Sequence, residues 1–123
     1  KTTINGDIVL VGRSDAEWYI NTGRINVSEI LNESDLSKYV IVADHQPLDE
    51  VKNSKSGVDL QVSGHTHAGQ VFPFKEIIEY EGIHSYGEYT IGDMNQLVSS
   101  GLTGWGWGIR NEGKCEYVLI NIN

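Results

Sequence analysis

Apolar residues fall into short runs of four or five, each stopped by glycine, proline or a polar cluster. Ile8-Val9-Leu10-Val11, following an Asn5-Gly6 turn signal and closed by Gly12, predicts a first strand. Trp18, Tyr19 and Ile20 make a second apolar patch. The Thr22-Gly23 break after it precedes a short helix, with Asn26 or Ser28 as cap and Ile30 and Leu31 on the inner face. Tyr39-Val40-Ile41-Val42-Ala43 is a continuous, largely β-branched run, the pattern of a strand covered on both faces. Pro47 opens a helix through Lys55 that Ser56-Gly57 ends, and residues 58–62 form the next strand. Strand, helix and strand in about 25 residues make one βαβ unit. A short amphipathic helix is expected over 74–80. Strands follow over 86–91, 96–99 and 115–122, with a Gly92-Asp93 turn, as an antiparallel meander. The fold class is α/β, in a single domain over residues 1–123.

At 13.7 kDa, surface scaling gives about 6,600 Å² for the folded chain, with about two thirds of the unfolded surface buried. Seventeen acidic against nine basic residues leave a net charge of -8. Such a chain repels phosphate backbones and excludes general nucleic-acid binding, although bound metal ions reverse the sign locally. No apolar run approaches the roughly 20 residues of a membrane span, and no signal peptide opens the sequence. Because the chain starts at Lys1 rather than Met, we expect it to be a piece of a longer protein. The single cysteine, Cys115, cannot pair internally and is expected to be a buried, inert thiol in the last strand. Eleven of the fourteen glycines lie from Gly57 onward, which directs attention to the second half for a site.

Three of the four histidines follow the ends of two neighbouring strands. His45 sits in Asp44-His45-Gln46-Pro47, and His65 and His67 in Gly64-His65-Thr66-His67-Ala68-Gly69-Gln70. Ligands of open α/β sheets collect at that edge, and parallel strands about 4.8 Å apart bring terminal side chains within reach of one ion. In extended backbone the alternation places both imidazoles of the His-x-His pair on one side. Imidazole suits zinc, iron, manganese or nickel rather than calcium. A lone histidine at a strand end is usually structural. Three in this arrangement point to metal binding, whereas His84 lacks such a context and reads as structural.

Residues 41–47 and 57–70 together resemble the C-terminal half of the calcineurin-like metallophosphoesterases, in particular the bacterial branch that often carries an N-terminal anchor or export signal. Gly12-Arg13-Ser14-Asp15, and the tail through Gly101-Leu102-Thr103-Gly104-Trp105-Gly106 and Ile109-Arg110, are also similar to that branch. The resemblance implies part of a sandwich of two β-sheets flanked by helices, and hydrolysis of a phosphoester by water activated between two divalent ions (Mn, Fe or Zn). It places His45 and His65 as ligands of one metal and His67 as a ligand of the other. Arg110 is a candidate contact for substrate phosphate, against an ordinary surface ion pair. Asp44 is a candidate orienting partner for His45, against an ordinary solvated carboxylate.

The chain also departs from the pattern. It has no Asp-x-His and no Asn-His, which the other half of the family's domain supplies, and Gly6-Asp7 precedes a strand instead of following one. Trp107-Gly108 stands where prolines are common in the family. Alone, the chain is expected to be catalytically incompetent, to bind metal weakly, and to cover its open sheet face by dimerisation or a domain swap. Its natural partners would be the missing N-terminal half and a phosphoester. Its location is unassigned, while a parent protein would be membrane-anchored or exported. Trp105 and Trp107 alternate with glycines and form either a lid over the core or a stacking surface. The stacking alternative would make the chain a non-catalytic acidic binding module. A cupin-type site fails because Val71 and Phe72 occupy the positions where its glutamate is needed.

Overall fold

The computed structural model describes residues 1–16 and 24–122. The patch at Trp18, Tyr19 and Ile20 and the Thr22-Gly23 break lie outside them. The elements are β1 Thr2–Ile4, β2 Ile8–Gly12, α1 Val27–Ile30, β3 Tyr39–Ala43, α2 Glu50–Lys55, β4 Leu60–Ser63, α3 Phe74–Tyr80, β5 Gly87–Ile91 and β6 Met94–Val98. The strands form one mixed sheet in the order β1-β2-β3-β4-β6-β5. Four central strands run parallel, and β1 and β5 close the two edges antiparallel. The α/β class holds, and β3-α2-β4 is the expected βαβ unit.

One face of the sheet carries the core. Val9 pairs with Val40 and Val11 with Val42, and with Val27, Val58 and Met94 they are essentially fully buried. Burying each valine is worth roughly 1.5–3 kcal/mol. Ile30 and Leu31 pack against this cluster, as the pattern indicated, and Asn26 is the cap of α1. The inward row becomes polar where β4 meets β6, since Gln61 is in register with Gln96. There Asn53 Nδ2 of α2 donates to Gln61 Oε1 (2.8 Å), and Gln61 Nε2 donates to the Leu48 carbonyl (3.1 Å). These buried bonds serve the amides of Asn53 and Gln61 and fix α2 on the sheet, while Gln96 Nε2 is buried without a partner among the described residues.

The other face is half-open. Ile8, Leu10, Tyr39, Ile41, Ala43, Val62 and Leu97 are only partly buried, so β3 is not covered on both faces. The accessible surface is 8102 Å², well above the scaling value. In the tail the expected strand over 115–122 does not form, and Tyr117 and Leu119 stay exposed. Its apolar residues run beside Tyr39, Leu60 and Leu97 on the outer face instead of pairing along an edge. Glu116 pins the tail instead, accepting from Tyr86 Oη (2.9 Å), Ser99 Oγ (3.1 Å) and the Ser100 N–H (3.1 Å). Cys115 is consequently exposed, not buried. The helix after Pro47 starts later than expected, at Glu50, because Asp49 adopts φ 60° immediately before it. No described helix is long and apolar enough to cross a membrane.

Candidate metal centre at the strand ends

All four parallel strands finish at one edge, and the candidate residues follow them: Arg13 to Asp15 after β2, Asp44 and His45 after β3, His65 and His67 after β4, and Thr103 to Arg110 after β6. The first three loops are laced together. The Arg13 N–H donates to the Ala43 carbonyl (3.1 Å), the Gly64 N–H to the His45 carbonyl (3.1 Å), and Gln46 Nε2 to the Ala16 carbonyl (3.2 Å).

His45 and His65 meet. Nε2 of His45 lies 2.9 Å from Nδ1 of His65, with the rings edge-on at 4.7 Å between centroids. Burial lowers the pKa of His65, as does the positive charge of His45 and His67 when protonated, with Asp15 acting in the opposite sense. His67 points elsewhere through one nitrogen. Its Nδ1 is 2.9 Å from the Thr103 carbonyl, a bond that makes Nδ1 the protonated nitrogen and leaves Nε2 as a lone-pair donor. The extended-backbone reading of the His-x-His pair is corrected here. His65 and His67 both have positive φ (69° and 51°), with Thr66 in the right-handed region between them. A turn, not a pleat, therefore sets the directions of the two rings.

The donor set suits a transition metal in kind, since neutral imidazole nitrogens are offered. In number it is incomplete: among the described residues no group of three His, Cys, Asp or Glu side chains stands close enough to hold an ion. His84 is remote in character, with Nδ1 bonded to Gln96 Oε1 and its ring stacked on Tyr89 at 3.7 Å.

Asp44 does not orient His45. It is buried and accepts from Arg13 Nη1 (3.2 Å), from Arg24 Nη2 and from the Gln46 N–H (3.3 Å). Arg110 forms no ion pair among the described residues and spends its fork on backbone carbonyls. Nη1 donates to the His67 carbonyl (3.1 Å), and Nη2 to those of Ser100 (3.2 Å) and Thr103 (2.9 Å), while Nε is buried without a partner.

Gln70 is the residue that sequence reasoning missed. Its Nε2 donates to the carbonyls of Trp105 (3.0 Å), Trp107 (3.2 Å) and Ile109 (3.1 Å), and its Oε1 accepts from the Trp105 N–H (2.6 Å). One amide therefore holds the glycine-tryptophan loop beside the histidine turn. The available signal was a lone amide ending a glycine-flanked turn, which carries no chemistry of its own. Gly69 serves close packing: at φ 80°, an added Cβ would meet the Lys75 amide nitrogen at 2.4 Å. Trp105 and Trp107 are 76% and 70% exposed, so they do not form a lid over the core.

The chain is 35% identical over 98 residues to an uncharacterized metallophosphoesterase of Campylobacter jejuni, and 39% identical over 100 residues to one of Helicobacter pylori. Each alignment covers 79% of this chain. A Caenorhabditis elegans protein named for the same family aligns with 98% of the chain at 28% identity. The chain spans about a quarter of the length of these curated relatives (26–27%). No family model matches it, and no solved structure does. The resemblance read from the histidine segments is borne out.

Proposed function

From a chain akin to the calcineurin-like metallophosphoesterases, we propose that this strand edge supplies imidazole ligands to a two-metal phosphoester hydrolase. His45 and His65 serve one ion and His67 the other. The remaining ligands and the general acid come from the other half of the domain in a longer parent protein, and the chain alone is incompetent. The observation that carries this reading is the contact between His45 and His65 at the ends of adjacent parallel strands, with the Nε2 of His67 left free by the Thr103 bond.

Divalent ions, when bound, acidify coordinated water and stabilise charge on phosphoryl oxygens. The chain's own residues do the positioning. Thr103 fixes the tautomer of His67, and Arg110 ties the carbonyls of His67 and Thr103 to one guanidinium. Gln70 holds the exposed Trp105 and Trp107 rings beside the edge, where they offer an apolar platform to the organic part of a substrate.

The test is calorimetric titration of the chain with Mn²⁺ or Zn²⁺. Weak binding that falls at least tenfold in His65→Ala, with the fold intact by circular dichroism, supports the assignment. Unchanged affinity in His65→Ala overturns it.

A further inference from the structure

We propose that the cavity between Arg13 and Arg24 is a phosphate-binding subsite beside the imidazole pair. The cavity has a volume of about 320 Å³ and is lined by Gly12, Arg13, Ser14, Asp15, Arg24 and Ile25. It lies at the same sheet edge as the histidines, since Arg13 follows β2 and is bonded to Asp44, the neighbour of His45.

Three observations carry the assignment. The first is placement. A chain of net charge -8 has three arginines, and two of them line one cavity. Their side chains are 3% and 13% exposed, so both guanidiniums have left bulk water.

The second is unused donor capacity. Arg13 gives Nη1 to Asp44 and Asp49 and Nη2 to the Ile25 carbonyl at 3.4 Å, a long contact. Arg24 gives Nη2 to Asp44. Nε of Arg13 and both Nε and Nη1 of Arg24 are buried without a partner among the described residues. Buried charged donors are normally satisfied, and a guanidinium has five N–H groups arranged to grip a phosphate bidentately. A network built only to hold the loops would leave fewer of them idle.

The third is charge. Arg13, Arg24 and Lys52 balance Asp44, Asp49 and Asp15, so the described residues around this cavity are locally neutral in a chain of net charge -8. Among the described residues Asp15 is the only carboxylate in the lining, and it is exposed, where solvent and salt screen it.

The ligand class is a tetrahedral phosphate oxyanion. Its two sources are a phosphate group carried by an ester and free inorganic phosphate. That the ester is the one hydrolysed at the histidine edge rests on the metallophosphoesterase reading, whereas the anion site itself does not.

The experiment is therefore run without metal. The ¹⁵N-labelled chain in EDTA is titrated with inorganic phosphate and, in a second arm, with glycerol phosphate, following the arginine Nε–H resonances. Saturable shifts of the Arg13 and Arg24 signals are expected, with at least tenfold weaker binding in Arg24→Gln and no change in His65→Ala. Tighter binding of the ester identifies a substrate group, and tighter binding of inorganic phosphate identifies a product or regulator. Unmoved arginine signals, equal affinity in Arg24→Gln, or loss of binding in His65→Ala would overturn the site. If Arg24→Gln fails to fold, Arg24→Lys decides: it keeps the charge but loses the fork, and undiminished affinity there rejects the proposal.

Discussion

Nδ1 of His65 and Nε2 of His45 are 2.9 Å apart, so one ring must donate and the other accept. Two protons on each ring would break that bond and set two cations edge to edge. Neutral imidazole is the form a metal needs, and the burial of His65 favours it.

This arrangement makes stability depend on pH in a stated direction. The folded pKa of His65 lies below its ordinary value of 6.5, so the unfolded chain binds the proton more readily. Between 6.5 and the lowered folded value, stability rises with pH and is lost on acidification. Urea midpoints at pH 5 and 7.5 should show a wild-type decrease at pH 5 that shrinks in His65→Gln. An equal decrease in the variant would assign the effect to other groups.

Gln70→Ala should release the glycine-tryptophan loop. Four hydrogen bonds at about 1 kcal/mol each set the loss at about 2–4 kcal/mol, because the freed carbonyls regain water. Hydrogen exchange over residues 101–110 should accelerate before the rest of the chain does. Uniform acceleration across the sheet would contradict a local role.

Gly69→Ala should be more damaging than its size implies. A left-handed conformation costs a non-glycine residue about 1–2 kcal/mol, and here the new methyl meets backbone, which cannot swing away. Thermal denaturation should show a large fall in Tm. Gly82→Ala, at φ 81° with open space around it, should show only the conformational part.

The half-open face of the sheet predicts self-association of the chain. Leu10, Ile41 and Leu97 are unshielded by any described helix on that side. Sedimentation at tens of micromolar should show a dimer that Leu10→Lys returns to monomer. A monomer at every concentration would mean that water alone is tolerated there.

The central strands β2, β3 and β4 and the parallel βαβ unit were legible because they depend on local periodicity and on turn residues, whereas the short edge strand β1 was not. The helix over 74–80 appears with those bounds, and the hairpin around Gly92-Asp93 forms. The last strand was misread for a physical reason: alternation shows that a segment suits a sheet, not that an edge is available to it. Tyr117 and Leu119 alternate with their neighbours yet remain 83% and 78% exposed. At the site, residue type identified His45 and His65 correctly as neighbours, since strand adjacency brings them together. Gln70 and the Asp44–Arg24 pair could not be read, because they link segments 20 or more residues apart through side chains of no special chemistry.

The position of β6 between β4 and β5 has a geometric corollary. The histidine turn lies inside the crossover from β4 to β6, so it is a loop closed only when those two strands zip in parallel. A slip of β6 by one residue would send Met94, Gln96 and Val98 outward and drag the tryptophan loop off the rim. The placement of the histidine turn beside the tryptophan loop thus depends on the β4–β6 register, so one pairing frame sets the geometry of the whole rim.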